Sequence, residues 1–145
     1  MPYRFSLAPV LKLRESIEER ELHVLERTQH EIAHIVQLLE SLKLRQSTAL
    51  LERESVLTRG TWAADLHFHE QLRRGLDTRQ NTLETTLADL QVRRRHQLEN
   101  YESAKRKRQA LSDLRDRQRA TYEANAAHRQ QRIADDSFLA RRRQQ

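Results

Sequence analysis

Apolar residues return at alternating steps of three and four along most of this chain, and that rhythm leaves few folds open. From Trp62 the line runs Trp62, Leu66, His69, Arg73, Leu76, Gln80, Leu83, Leu87 and Leu90. It continues through Arg94, Gln97, Tyr101, Ala104 and Arg108 to Leu111. An earlier stretch keeps the same beat through Ile32, Ile35, Leu39, Leu42, Gln46, Ala49, Arg53 and Val56, and reaches back to Leu25. Spacing of this kind held over several heptads is the signature of a coiled coil, and strand-type alternation is nowhere sustained. Composition agrees. With 33% charged and 37% hydrophobic residues, two glycines and two prolines, and a mean hydropathy of −0.93, the chain has too little apolar matter for a layered core. It can bury one narrow seam.

One break separates the two runs. The stretch LTRGTWAAD contains Gly60, suited to a left-handed helix cap, followed by Thr61 as an N-cap candidate and Asp65 near the positive end of a new helix. A short connection makes neighbouring helices antiparallel. The expected fold is therefore all-α, a long two-helix antiparallel coiled-coil hairpin forming a single domain over 1–145. Its boundaries are expected at about 7–57 for helix one, 58–61 for the turn, 62–137 for helix two and 138–145 for a basic tail. Gly75 lies inside helix two and weakens it by roughly 1 kcal/mol against alanine without ending it. With the turn near 59, Leu7 faces Leu111, and the second helix overhangs from about residue 112. The seam line continues there as Arg115, Gln118, Tyr122 and Asn125, which is mostly polar.

The pentamer HEIAH at 30–34 spells the zinc-protease pattern, in which two histidines one helical turn apart share a metal. The surroundings argue against it. With Ile32 and Ile35 in the seam, His30 and His34 fall on the face turned away from the partner helix. The extended motif would need glycine at 37 and histidine at 40, where this chain has Gln37 and Glu40. A distant third ligand such as Glu52 or Glu54 would lie about 30 Å off along a straight helix. The histidines of HFHE at 67–70 point to different sides. No phosphate loop, nucleophile elbow or catalytic carboxylate pair is present. The chain is expected to be non-enzymatic, with no catalytic residue, no metal, no cofactor and no small-molecule substrate. It has no cysteine, and so no disulfide or thiol chemistry. No run approaches the ~18 apolar residues of a membrane span, and the start lacks the apolar stretch of a secretory signal. A soluble chain retained in the cytoplasm is expected.

Charge is unevenly placed. Residues 1–60 carry nine basic and nine acidic side chains, and 61–145 carry eighteen basic and twelve acidic, so the net +6 belongs to the second half. It gathers in RRR at 93–95, KRKR at 105–108 and RRR at 141–143. Three readings remain: a nucleic-acid contact, a solvated face with helical partners such as Glu99 and Glu102, or a surface steered to an acidic protein. Nucleic acid is disfavoured because no aromatics interleave with the arginines to stack bases. Near the turn, Phe68 and Leu72 share a face beside the seam, and Leu44 and Leu51 fall at outward heptad positions. A grouped apolar set of this kind suggests a docking patch. A seam that widens near the turn would absorb the same residues.

Both ends of the chain resemble a known family. Phe5-x-Leu7 followed by Val10-Leu11-x-Leu13-Arg14 is similar to the opening of the flagellar type III export protein FliJ. The basic run 105–108, then Leu111, Tyr122, Gln131, the Asp135–Asp136 pair, an apolar residue and closing arginines resemble its far end. Trp62, Phe68 and Leu72 match the W-x5-F-x3-L spacing of enteric members, whereas Gly75 and Arg79 replace their alanine and histidine. The resemblance implies a coiled-coil stalk akin to the shaft of rotary ATPases. Such a stalk would insert into the hexameric export ATPase and link it to the cytosolic domain of the export gate protein. It would also handle export chaperones, and would be cytoplasmic, held peripherally at the inner-membrane export apparatus. On that reading Phe68, Leu72, Leu44 and Leu51 would meet the gate, and Arg115, Arg117, Arg119, Tyr122, Arg129 and Arg132 the ATPase ring. The alternatives are an injectisome stalk protein, and a basic coiled-coil scaffold or nucleic-acid-binding protein.

Overall fold

The computed structural model describes residues 2–145. Helix α1 spans Ala8–Arg59, 52 residues, and α2 spans Ala63–Arg143, 81 residues. The two pack against each other as an all-α hairpin, and no strand occurs among the described residues. Helix α1 opens where the Ala8 amide donates to Phe5 O at 3.1 Å and the Leu11 amide to Leu7 O at 2.9 Å. Pro9 sits in the first turn, where its missing N–H costs no hydrogen bond. Gly60 closes the helix with φ +79, the left-handed cap that glycine adopts without strain.

The turn sits later than the spacing predicts, and that shift corrects several expectations. Because glycine follows the last helical residue, α1 runs through Arg59 rather than stopping at 57. Its last turn includes Thr58, whose hydroxyl donates to Glu54 O at 2.7 Å. The connection is therefore 60–62. Trp62 leaves the seam line and is 83% exposed, because it precedes the helix whose phase it happens to share. Its carbonyl, not Thr61, receives the first α2 amides, from Asp65 at 3.0 Å and Leu66 at 3.3 Å. Thr61 instead donates its hydroxyl to Asp65 Oδ2 at 3.1 Å, fixing a carboxylate in the first turn, where the helix dipole favours it.

At its other end α2 passes the expected stop at 137 and takes in most of the supposed tail, ending at Arg143. No glycine or proline interrupts it there. Asp135 accepts a hydrogen bond from Gln131 Nε2 at 3.4 Å along the helix, and Arg141, Arg142 and Arg143 occupy the last turn, where cations offset the negative dipole end.

By packing, the residues group into two compact units, Leu22–Asn100 and a second made of Met1–Glu21 with Tyr101–Gln145. In the Leu22–Asn100 unit the buried seam is Leu25, Thr28, Leu42, Leu83 and Leu90. Thr28 is a polar seam residue satisfied by its own helix, its hydroxyl donating to Val24 O at 3.3 Å. Cross-helix polar contacts set the pairing. Gln46 Nε2 donates to Gln80 Oε1 at 2.8 Å and to Asp77 Oδ1 at 3.3 Å, Arg53 lies 3.8 Å from Glu70, and Arg93 lies 3.9 Å from Glu31. Arg73 and Arg94 sit on the heptad line but are exposed, since a guanidinium reaches past a thin seam into water. The other unit is anchored by buried Leu11 and Ala104 and by a two-pronged ion pair. Its Arg108 Nε donates to Glu18 Oε2 at 2.6 Å and its Nη2 to Glu18 Oε1 at 3.3 Å. That carboxylate holds the Arg108 guanidinium above its ordinary pKa, chiefly through the hydrogen bond. With Gln46 opposite Gln80 and Glu18 opposite Arg108, these helix-to-helix pairs lie several residues later on α2 than a turn near 59 requires. Past residue 112, Arg115, Gln118 and Tyr122 still meet Tyr3, so the uncovered part of α2 begins later than expected.

Candidate functional site: two partner-facing surfaces

The first candidate surface lies in the Leu22–Asn100 unit. Phe68, Leu44 and Leu51 are exposed, the last two at 71% and 66%. Leu72 is less so and turns toward a shallow groove of about 340 Å³ that it lines together with Leu44. Ala49 and Leu76 form part of the same groove, and alanine in the seam is small enough to leave space beside it. The structure thus brings Leu44 and Leu72, from different helices, onto one groove, and puts Phe68 one helical turn before Leu72. The rings of Phe68 and His69 stand edge-on with centroids 5.8 Å apart. Leu50, Leu57 and Trp62 are also exposed apolar residues of this region; Leu50 and Leu57 stand off the heptad line, whereas Trp62 was expected on it. Leu50 and Leu57 recur at a seven-residue interval, as Leu44 and Leu51 do, so the repeat was there to find.

Charge beside the groove is fixed in a tight network. Arg73 Nη2 reaches Glu70 Oε1 at 2.6 Å and its Nη1 reaches Asp77 Oδ2 at 3.0 Å, and Arg74 Nε meets Glu70 Oε1 at 3.3 Å. Above all the hydrogen bond from Arg73, opposed by partial burial, brings the Glu70 carboxyl from its ordinary 4.5 down to about 2. His30 and His34 are both exposed, on the outward side of α1. The glutamate between them, Glu31, faces Arg93 instead of a metal. Among the described residues no group of three or more His, Cys, Asp or Glu is placed to hold a metal ion.

The second candidate surface is the far part of α2. The six residues expected there divide into two sets. Arg115 and Tyr122 are half-buried against the chain's own amino-terminal segment: the Tyr3 hydroxyl lies 3.4 Å from Arg115 O and 3.3 Å from Gln118 Oε1, and the Tyr3 and Tyr122 rings are 5.6 Å apart. Arg117, Arg119, Arg129 and Arg132 are exposed, with Arg119 Nε held 3.1 Å from Glu123. Ala126, not the expected Asn125, is the next shielded residue, and from Ala127 to Gln145 every residue is exposed. That bare stretch carries Ile133, Phe138 and Leu139, apolar residues that a search for basic side chains passes over. Arg93 and Arg108, one from each of two basic runs, spend charge on cross-helix carboxylates, so the +6 is less available to a polyanion than the sequence suggests. No helix among the described residues is long and apolar enough to cross a membrane.

Comparison with known proteins adds one positive finding. No curated protein matches the chain, and no solved structure does. The family described as Flagellar FliJ protein matches it over residues 3–145. A match of that span takes in both helices, the capped turn between them and the bare end of α2, so the chain belongs to the FliJ family, a non-catalytic family of flagellar export stalk proteins.

Proposed function

We propose that this chain is a stalk and adaptor of the flagellar type III export apparatus, working without catalysis of its own. The bare part of α2 enters the hexameric export ATPase. The groove lined by Leu44 and Leu72, with Phe68 and Leu51 nearby, docks on the cytosolic domain of the export gate protein. Export chaperones are a third class of partner, and the chain works in the cytoplasm beside the inner membrane. One observation carries the reading: α2 continues as a helix through Arg143 although no side chain beyond Ala126 is covered. An isolated helix of that length is marginal in water, and a ring enclosing it would supply the missing cover. Its arginines suit an acidic inner wall, while the exposed leucines and Phe68 suit an apolar cleft.

The test is stimulation of the cognate export ATPase by the full chain and by a chain ending at Ala126. The truncated chain should lose stimulation and keep gate binding, because the Leu44–Leu72 groove is untouched. Full stimulation by the truncated chain would remove the bare helix as the insertion element. DNA binding across a salt series tests the alternative of a basic scaffold: micromolar binding to DNA at physiological salt, with no ATPase binding, would favour it.

A further inference from the structure

Residues 2–5 precede α1 without regular structure, and their side chains alternate in burial. Tyr3 and Phe5 are half-buried, whereas Pro2, Arg4 and Ser6 are exposed. An extended segment sends successive side chains to opposite sides, so this strap turns its two aromatic groups inward and Pro2 and Arg4 outward. Tyr3 makes the contact with α2. Its ring meets Tyr122 at 5.6 Å with the planes tilted by 45°. Its one hydroxyl proton is shared between Arg115 O at 3.4 Å and Gln118 Oε1 at 3.3 Å, both beyond the usual range for an O–H donor. The part of the attachment made by Tyr3 is an aromatic pair with a long, divided hydrogen bond, specific in geometry and weak in grip.

Its place on α2 gives it meaning. Arg115, Gln118 and Tyr122 continue the heptad line that Ala104, Arg108 and Leu111 begin. Helix α1 starts only at Ala8, so over 115–122 the strap stands in for a helix. Farther on the same face there is no cover, and Ile133 is 66% exposed. The strap therefore shields the part of the face that adjoins the bare helix.

We propose that the strap Pro2–Leu7 is a displaceable cover, which competes with a surrounding protein partner for the Arg115–Tyr122 face of α2. The inference rests on the reading that α2 enters the ATPase ring, and adds a control on how far entry proceeds. With the strap down, a ring can engage α2 only from about Ala126 onward. With the strap displaced, the ring gains the Tyr122 ring and the adjoining Arg115. A partner that needs the open form binds with an apparent affinity reduced by the fraction of chains that are open. For an attachment of this kind the reduction is about three- to tenfold.

The experiment titrates three full-length proteins with the export ATPase: the wild type, Tyr3→Phe, and Tyr3→Ala combined with Phe5→Ala. Fluorotyrosine labelling supplies the second readout, since the chain has three tyrosines and so three ¹⁹F signals. The double variant should bind about three- to tenfold more tightly than the wild type, and Tyr3→Phe, which keeps the ring and loses the hydroxyl, should fall between them. In the wild type, ATPase should sharpen the Tyr3 signal and move it to a solvent-like position while broadening that of Tyr122. Unchanged or weaker binding by both variants overturns the cover. So does a Tyr3 signal that stays in its packed position when the ring binds. If none of the three proteins binds, the insertion reading falls and this inference with it. Tight wild-type binding with an unmoved Tyr3 removes the cover alone.

Discussion

Leu42 and Leu44 are two residues apart on α1 and chemically identical, yet Leu42 is 3% exposed and Leu44 is 71% exposed. Replacing each by alanine changes helix propensity equally, by ~0.2 kcal/mol in alanine's favour, so the difference between the variants reports burial alone. Leucine-to-alanine changes in cores cost about 2–5 kcal/mol. The seam here is only two helices wide and, among the described residues, contains no completely buried side chain. Its neighbours can close over part of the gap, which places Leu42→Ala near the low end, about 2–3 kcal/mol. Leu44 keeps less than a third of its surface covered, which is worth roughly 0.5 kcal/mol, much of it offset by the gain in propensity. For a chain of this size 1 kcal/mol corresponds to about 2–4 °C in melting temperature. Thermal unfolding followed by far-UV circular dichroism should show Leu42→Ala melting about 4–12 °C below wild type, and Leu44→Ala within about 2 °C of it. Both residues lie in the same compact unit, so the same transition reports both. Equal losses for the two variants would refute the assignment of the seam to Leu42 and of the open groove to Leu44.

Further outcomes follow from the surfaces. Phe68→Ala with Leu72→Ala should weaken binding to the cytosolic gate domain by about 1–2 kcal/mol for each anchor while far-UV dichroism stays unchanged; loss of helicity would return both residues to the core. The Glu70 carboxyl should titrate near its depressed value of about 2, followed by carboxyl carbon NMR. Because the folded value is below the ordinary one, its contribution to stability is complete above about 4.5 and is lost as pH falls through about 2. Arg73→Ala should bring the midpoint up toward the ordinary range, and a wild-type midpoint near 4 would mean the network does not hold in solution. His30→Ala with His34→Ala should leave dichroism, melting and export unchanged, and zinc retained stoichiometrically through dialysis by the wild type alone would reinstate the metal motif.

Much of the fold was legible because heptad spacing and the placement of one glycine between two runs depend on nothing beyond the local chain. The outward position of His30 and His34 followed from the same phase as Ile32 and Ile35. Register was not legible. It depends on where the chain reverses, and moving the connection from 58–61 to 60–62 displaces every pairing along both helices. Trp62 shows the limit of counting: it keeps step with Leu66 and His69 but stands before the helix begins, so phase alone put it in the seam. The strap was hidden for a related reason. The expected pairing was drawn for the two helices only and stopped at Leu7, so the segment before α1 had no assigned partner, whereas the structure sets Tyr3 beside Tyr122. At the bare end of α2, arginines drew notice by charge, and Ile133, Phe138 and Leu139 did not, because single exposed apolar residues are ordinary on any surface.

A seam of leucines alone is indifferent to sliding, since a shift by one heptad sets leucine against leucine again. The Gln46–Gln80 hydrogen bond removes that indifference. Shift the helices one heptad in one direction and Gln46 comes opposite Leu87 while Gln80 meets Arg53. Shift them in the other and Gln46 meets Arg73 while Gln80 comes opposite Leu39. Either slip leaves one shielded amide facing a hydrocarbon chain, at a cost of about 1–3 kcal/mol for the lost partner, and brings the other up against a guanidinium that already serves Glu70. Two leucines in place of the glutamines would hold the helices together more tightly, yet would let them settle in several alignments. The amide pair thus acts as a detent. It gives up some cohesion so that the helices stop at one setting, and a component that must present its surfaces at fixed positions along its length gains more from that than from a higher melting temperature.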